Sequence, residues 1–297
     1  MKMRVVSSVL LAAMALLLLL SAQVAEAVRQ GLQLCAASVI PALFPFLVLS
    51  SLFLSLGGGL SDSFPQRVAA HLLGCSTAGI GVFFLSLLGG YPVGARLIGQ
   101  LYRAGRLSQE EAAHLLRFCN NAGPAFILGF VGLGQFGNLR VGVYLYLVHA
   151  SVAALLALFF RPKIALRGMR AANPPHPAPL SASLVAAIGE AGSTMVQICS
   201  FVTFFYTALQ LVSSLSTLSH PLLLGFVELT GGILRLNADR SGFVMACALL
   251  GWGGISVHCQ TAAVLSGTGL PLKGYLKSKL LHGIFSAFLG FFAWNLL

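Results

Sequence analysis

Two adjacent asparagines lie in a mostly apolar stretch, residues 115–130, which reads LLRFCNNAGPAFILGF. Gly123 and Pro124 follow Asn120 and Asn121 closely. A proline inside a helix removes one backbone hydrogen bond, and a nearby glycine loosens the turn, so peptide groups are freed there. Side-chain amides both donate and accept hydrogen bonds. We therefore interpret Asn120 and Asn121 as lining a cavity for a polar solute; the alternative is that they hydrogen-bond to neighbouring helices.

A carboxylate interrupts a second apolar stretch, residues 221–237, which reads PLLLGFVELTGGILRLN. A charge at the middle of a bilayer costs several kcal/mol, so such residues are functional by default. We expect Glu228, with Thr230, to bind solute or to couple protons. The alternative is a buried ion pair with Arg96 or Arg235.

His258 and Gln260 follow two glycines in residues 251–260, GWGGISVHCQ. A histidine beside such a break can bind a carboxylate or relay a proton, although it can also be a packed core residue. The remaining histidines have no polar constellation around them, and we interpret them as surface or packing residues: His71, His114, His149, His176, His220 and His282.

The sequence does not indicate an enzyme. It contains no P-loop, HExxH or GxSxG motif, which the common nucleotide, metal and serine chemistries require. Ser256 and His258 are two residues apart, so they face different directions on a helix. The six cysteines lie in apolar stretches without a CxxC pair. We predict buried thiols, with no disulfide, no metal site and no cofactor.

The chain is too poor in charge to form a soluble surface. Of its 297 residues, 57% are hydrophobic and 8% are charged, against about 25% charged in soluble domains. We therefore predict an all-α polytopic membrane protein. The net charge of +11 comes from cations between apolar runs. This pattern fits cytoplasmic loops beside anionic lipid, and we expect no nucleic-acid partner.

Two apolar segments look like helical hairpins, because each carries turn residues in its middle. The first, residues 79–103, contains Gly89-Gly90-Tyr91-Pro92, and the second is residues 221–237. Unwound backbone at membrane depth is tolerated only where protein or a cavity covers it. Interrupted segments at matching places in two halves indicate a transporter built from inverted repeats.

We predict about seven or eight transmembrane helices plus two re-entrant hairpins, arranged as inverted repeats. The first transmembrane helix occupies 1–30, although a signal peptide cleaved near residues 25–27 is an alternative. The first repeat, 31–160, holds a span, the hairpin 79–103, a broken span at 110–132 and a span at 139–160. Residues 161–193 form a basic, proline-rich cytoplasmic linker and an interfacial helix, and 194–297 form the second repeat.

The distribution of cations favours a cytoplasmic N-terminus. With that orientation the outside holds four of the 18 cations: Arg29, Arg140, Arg235 and Arg240. The inside holds the other 14: Lys2, Arg4, Arg67, Arg96, Arg103, Arg106, Arg117, Arg161, Lys163, Arg167, Arg170, Lys273, Lys277 and Lys279.

Four motifs and one span resemble a known family. They are GGYPVGARL, FCNNAGPAFILGFVG, ELTGG and GGISVHCQ, with PALFPFLVLSSL at residues 41–52. In this order they are similar to the sporulation integral membrane protein YlbJ, or SpoVV, family. That family resembles the wider nucleoside-recognition, or Gate domain, superfamily, in which two hairpins and two broken helices hold the solute.

The resemblance implies a secondary transporter in the plasma membrane or outer forespore membrane. Its solute would be dipicolinate, a small planar dianion moved out of the mother cell, with H⁺ or Na⁺ as a possible coupling ion. Alternatives are a nucleoside-type transporter and a non-transporting sporulation scaffold. Lipid and a second copy of the chain are possible partners.

Arg96 could then bind a carboxylate through two hydrogen bonds, and the asparagine pair and hairpin glycines would contact the solute. The predicted solute site is Gly89, Gly90, Tyr91, Arg96, Asn120, Asn121, Glu228, Thr230, Gly231, Ser256, His258 and Gln260.

Overall fold

The computed structural model describes residues 2–56, 63–162, 179–215 and 220–297. Within these ranges the chain forms helices joined by short connections, and no strand occurs among them. The predicted all-α class is therefore confirmed. Most of the predicted linker, including Lys163, Arg167, Arg170 and His176, lies outside the described residues.

The helices of the first half begin with a long, nearly continuous rod and continue with shorter pieces. They are α1 (Lys2–Leu19), α2 (Ser21–Leu34), a π-helical turn (Cys35–Val39), α3 (Ile40–Ser55), α4 (Phe64–Leu73), α5 (Thr77–Gly89), α6 (Val93–Arg103), α7 (Gln109–Leu116), a π-helical segment (Ala125–Gln135) and α8 (Leu139–Phe159). The predicted boundary at residue 30 falls inside α2, because the helix runs through it without a break.

The second half has a similar order of elements: a long helix, two short helices, a broken helix and a 21-residue helix matching α8 in length. They are α9 (Leu180–Leu215), α10 (Pro221–Val227), α11 (Leu229–Ile233), α12 (Arg240–Trp252), α13 (Ile255–Val264) and α14 (Lys273–Ala293), followed by a short 3-10 turn (Trp294–Leu296).

Apolar helices of membrane-spanning length occur in both halves. Four stretches of the described chain qualify by length and composition: Ser21–Phe53, Leu139–Phe159, Leu180–Ser214 and Arg240–Val264. A fifth is added if α4 and α5, which are bent by 83° relative to each other, count as one span. These helices support an integral membrane protein. The predicted number of seven or eight spans, and the re-entrant and inverted-repeat arrangement, stay predictions.

Both predicted helix breaks are present. Helix α7 ends at Leu116, and the π-helical segment starts only at Ala125, so the asparagine pair lies in irregular chain. Helix α12 ends at Trp252, where Gly253 and Gly254 have φ angles of 92° and 88° before α13 starts. A side chain would strain the backbone at such angles, so the two glycines account for the second break.

The second hairpin breaks at a different residue from the one expected. The sequence predicts a turn at the two glycines of ELTGG, whereas Gly231 and Gly232 lie inside α11 and the chain breaks at Glu228. The physical reason is that the Glu228 side chain caps α11. Gly232 instead allows close packing, because a Cβ there would overlap the α carbon of Gly225 in α10.

Helix α9 is a single 36-residue rod. Residues 181–193, predicted as a separate interfacial helix, are its N-terminal part and continue directly into the apolar span. At 1.5 Å per residue the rod is about 54 Å long, well beyond the hydrocarbon thickness of about 30 Å. It packs along α2 and α3.

Several helices touch through glycine. A Cβ on Gly132 would lie 2.6 Å from the α carbon of Gly142, where the π-helical segment meets α8. A Cβ on Gly251 would lie 2.7 Å from the α carbon of Gly283, where α12 meets α14. Small residues at such contacts allow the close backbone approach common in membrane bundles.

Candidate functional site

In each half a hairpin turn packs against a helix break. In the first half, a Cβ on Gly123 would lie 2.9 Å from the amide nitrogen of Gly90, in the turn between α5 and α6. In the second, a Cβ on Gly254 would lie 3.1 Å from the amide nitrogen of Leu229, at the start of α11. Backbone thus lies directly on backbone at both places, where even a methyl group would crowd the contact.

A cavity of about 50 Å³ lies between the two breaks. Its wall is mostly apolar with a few polar groups, as is typical of small-molecule sites. The lining residues are Val39, Ala42, Leu43, Tyr91, Ala122, Gly123, Phe126, Ile198, Val202, Glu228, Leu229, Thr230, Ser256, Val257 and Gln260. Five of them belong to the predicted site: Tyr91, Glu228, Thr230, Ser256 and Gln260.

Glu228 is buried in the cavity wall. Its two carboxylate oxygens accept hydrogen bonds from the backbone amides of Thr230, at 3.1 Å, and Gly231, at 2.6 Å. The nearby Arg235 donates to the carbonyl of Gly231 and to the side chain of Gln210. The carboxylate is therefore held by backbone amides at the start of α11, and the structure records no salt bridge to Arg96 or Arg235 among the described residues.

The asparagine pair lies behind the cavity wall. The Asn120 amide donates to the hydroxyls of Thr261, at 2.8 Å, and Tyr275, at 3.1 Å. The Asn121 amide donates to Ser86, at 3.2 Å, and to the carbonyl of Phe118. These bonds join the first break to α13, α14 and α5. The two asparagines therefore hydrogen-bond to neighbouring helices, which was the alternative interpretation drawn from the sequence. Both amide oxygens are buried without a partner in the described chain.

His258 also lies beside the cavity rather than on its surface. Its Nδ1 is 2.9 Å from the Tyr275 hydroxyl, and its ring packs edge-on against Trp252 with a centroid distance of 4.3 Å. Gly89 and Gly90 end α5 at the hairpin turn. Gly231 contributes its backbone amide to Glu228.

Arg96 pairs with Glu190, a carboxylate for which no role was predicted. Its guanidinium donates to the carboxylate of Glu190 on α9 at 2.7 Å, and Gln100 donates to the same oxygen. The side chain of Glu190 is 53% exposed, whereas that of Arg96 is almost buried. The pair joins α6 to α9.

The sequence prediction missed the central cation of the site. Lys279, counted only among the cations on the cytoplasmic side, is 1% exposed inside α14 and is a buried residue of the site. Its amine bonds the Tyr91 hydroxyl at 3.1 Å, the Asn120 carbonyl at 3.0 Å and Nδ1 of His282 at 3.2 Å. It therefore connects the first hairpin, the first break and α14.

Two histidines interpreted as surface or packing residues belong to the same network. His149 and His282 are fully buried and stack with their centroids 4.5 Å apart. His149 Nε2 accepts from the backbone amide of Ala122, and His282 Nε2 bonds the carbonyl of His149. The statement that they lack a polar constellation is wrong. Backbone groups freed by the first break are thus satisfied by α8 and α14.

A signal for this network was present in the sequence. Tyr275, Lys279, His282 and Ser286 are spaced by three or four residues, which places them on one face of a helix. All four are buried. A polar stripe inside an apolar helix indicates a buried polar contact. Lys279 was instead counted as a cation on the cytoplasmic side, because it lies near one end of an apolar run.

The folded chain is a helical integral membrane protein in which two broken helices flank a small cavity with a few polar groups on its wall. It is similar to the sporulation integral membrane protein YlbJ of Bacillus subtilis (strain 168), with 27% identity over 321 aligned positions, covering 91% of this chain and 77% of that protein. This similarity confirms the resemblance drawn from the motifs and supports membership of the YlbJ family. No family model matches the chain, and no solved structure matches it significantly.

Proposed function

We propose that the chain is a secondary transporter of a small polar anion, with dipicolinate moved from the mother cell across the outer forespore membrane as the solute. The relative's name supports a membrane role in sporulation. The observation that carries the proposal is the cavity between two helix breaks, with Tyr91, Ser256 and Gln260 on its wall. Broken helices around a central site are typical of secondary transporters.

Donors on the cavity wall suit an anion. The Ser256 hydroxyl is buried and has no hydrogen-bond partner in the described chain. A buried polar group without a partner costs free energy, which a bound solute can recover by accepting a hydrogen bond. The side-chain amide of Gln260 is a second donor on the same wall. A carboxylate on a planar ring could accept from both groups.

The cavity is narrow in the described conformation. A water molecule needs about 10–15 Å³ of such volume, so a cavity of about 50 Å³ holds only a few waters. A planar dicarboxylate needs a wider space, and transport therefore requires the two halves to move apart. In this proposal the halves are inverted repeats with re-entrant hairpins, the N-terminus is cytoplasmic, and H⁺ or Na⁺ drives the cycle.

The decisive experiment is uptake of labelled dipicolinate into vesicles that contain the purified protein, with and without a pH gradient. Ser256→Ala should lower solute affinity about tenfold, as expected for a lost hydrogen bond to a charged group. Ser286→Ala is a matched control, because Ser286 is equally buried and unpartnered among the described residues but does not line the cavity.

Three outcomes separate the functions. Dipicolinate uptake that Ser256→Ala impairs and Ser286→Ala leaves intact supports the proposal. Uptake of nucleosides instead of dipicolinate would favour a nucleoside-type transporter. Absence of transport, together with normal dipicolinate in spores that lack the protein, would favour a scaffold.

A further inference from the structure

The buried amine of Lys279 has three hydrogen-bond partners, and each of them acts as an acceptor towards the amine. The Asn120 carbonyl can only accept. The Tyr91 hydroxyl gives its proton to the carbonyl of Leu250, at 2.7 Å, so it accepts from the amine. The third partner is Nδ1 of His282.

The tautomer of His282 follows from its other bond. Its Nε2 lies 3.1 Å from the carbonyl of His149, which can only accept, so Nε2 carries a proton. The neutral ring then has a bare Nδ1 that accepts from Lys279. Three acceptors match the three N–H groups of an ammonium, whereas a neutral amine would leave one acceptor unsatisfied.

When protonated, Lys279 has no carboxylate among its bonded partners in the described chain, which are a phenol, a peptide carbonyl and an imidazole. The described acidic residues are occupied elsewhere or exposed. Glu26 binds Arg29, Glu111 accepts from the Ser76 amide, Glu190 binds Arg96, Glu228 caps α11, Asp239 caps α12, and Glu110 is exposed. A buried charge without a counter-ion is costly, so an anion bound nearby would stabilise it.

Tyr91 connects this charge to the cavity, because its side chain lines the cavity while its hydroxyl accepts from Lys279. We propose that Lys279 and His282 form the proton-binding site of the transporter, and that binding of an anion in the cavity and protonation of this pair favour each other. The inference rests on the proposed function and adds the identity of the coupling ion and of the residues that bind it.

The surroundings of the pair contain no competing acid in the described chain. The pair bonds the Tyr91 hydroxyl from the first hairpin and the Asn120 carbonyl from the first break. His149 from α8 stacks on His282, and His258 from α13 interacts electrostatically with Lys279. Tyr275 from α14 itself bonds the same Asn120. None of these contacting groups is a carboxylate; Glu228 lies on the wall of the adjoining cavity, where its oxygens accept from the amides of Thr230 and Gly231.

The direction of coupling follows because anion binding and proton binding change each other's affinity by the same factor. If an anion binds more tightly to the protonated site, its binding must draw a proton from water, and its release must return that proton. The proton rests on Nζ of Lys279 or on Nδ1 of His282, which are 3.2 Å apart. Solute and proton would therefore cross the membrane together.

The test is calorimetry of dipicolinate binding to the purified full chain in buffers of different ionisation enthalpy, which measures protons taken up per solute bound. At a pH where the ligand-free pair is mostly neutral, the wild-type protein should take up about one proton per dipicolinate, and the uptake should vanish at a pH where the pair is already protonated. Lys279→Met should take up none and bind roughly tenfold more weakly, the factor expected for unit charges on the order of 10 Å apart. Lys277→Met is the matched control, since Lys277 is exposed on the same helix.

Two further variants keep the test decisive if Lys279→Met fails to fold. Lys279→Arg carries a permanent charge, so it should bind dipicolinate without taking up a proton. Ser286→Ala, which is buried in the same helix but does not line the cavity, should keep the proton uptake of the wild type. The inference is overturned if the wild type takes up no proton, if Lys279→Arg takes up a proton as the wild type does, or if Ser286→Ala removes the uptake. Dipicolinate transport without proton uptake would overturn this inference alone, whereas absence of dipicolinate binding would overturn the proposed function as well.

Discussion

The α carbon of Gly94 lies so close to the peptide of Cys119 that a methyl group at Gly94 would overlap the Cys119 carbonyl oxygen. The two residues belong to the returning helix of the first hairpin and to the first break. Their contact fixes the hairpin against irregular chain that has lost its own helical hydrogen bonds. The geometry of the cavity wall at Tyr91 therefore depends on a glycine that does not itself touch the cavity.

We expect Gly94→Ala to disrupt this contact and to lower the free energy of unfolding by at least about 3 kcal/mol, the upper range for overpacking. Gly129→Ala is the control, because a Cβ at Gly129 would meet nothing within 4 Å. Thermal unfolding in detergent measures both. Equal melting temperatures for the two variants would show that the hairpin can shift away from the break at little cost.

The second break combines backbone strain with close approach, because Gly254 has a φ of 88° and a ψ of 154°, a conformation essentially confined to glycine. Gly254 and Gly267 have similar φ angles, 88° and 75°, but only Gly254 has close neighbours, since a Cβ at Gly267 would meet open space. We expect Gly267→Ala to cost about 1–2 kcal/mol from strain alone. Gly254→Ala should cost more and should also reduce dipicolinate uptake. A similar cost and similar uptake for both variants would argue against a role for the contact with Leu229.

Glu228→Gln should reduce uptake, because an amide has one oxygen to accept the two backbone N–H groups that the carboxylate now holds. Asp239→Asn is a matched control, since Asp239 caps α12 in an exposed position. Loss of a cap costs about 1 kcal/mol and should be similar in both variants, so the difference in uptake reports the cavity. Uptake is followed at several pH values; a rate and a pH dependence like those of the wild type would leave Glu228 as a cap only.

The Arg96–Glu190 pair tests whether Arg96 also binds solute, as the sequence predicts. Glu190 is half exposed, so Glu190→Gln should change stability by about 1 kcal/mol or less and leave uptake near normal. Arg96→Gln should weaken dipicolinate affinity if the guanidinium reaches a carboxylate of the solute. Binding measurements on both variants decide this; unaltered affinity in Arg96→Gln would restrict the residue to joining α6 and α9.

Local signals explain which parts of the fold were predictable. Pro124 and the pair Gly253-Gly254 break helices through their own backbone properties, and both breaks are found where the sequence places them. The second hairpin was placed at its glycines because glycine is the usual turn residue. The actual break depends on a side chain, Glu228, folding back onto the next two amides, which composition does not reveal.

The network around Lys279 could not be assembled from local patterns. Its bond to Tyr91 joins residues 188 positions apart, and its bond to Asn120 joins residues 159 apart. A lysine near the end of an apolar run is ordinarily a loop cation, and only the packing of α14 against the first half makes it a buried one. The asparagines were recognised as polar residues in an apolar stretch, but their hydrogen bonds to α13 and α14 depend on the same long-range packing.

The glycine contacts between α8 and the π-helical segment, and between α12 and α14, have a mechanical consequence. At Gly132–Gly142 and at Gly251–Gly283 no side chain lies between the two backbones, although α12 and α14 also pack through side chains such as Cys247 against Gly290. A small sliding displacement at these two points needs no side chain to move out of the way. The cavity can therefore widen by shear of these two helix pairs, while the remaining helices move as rigid bodies.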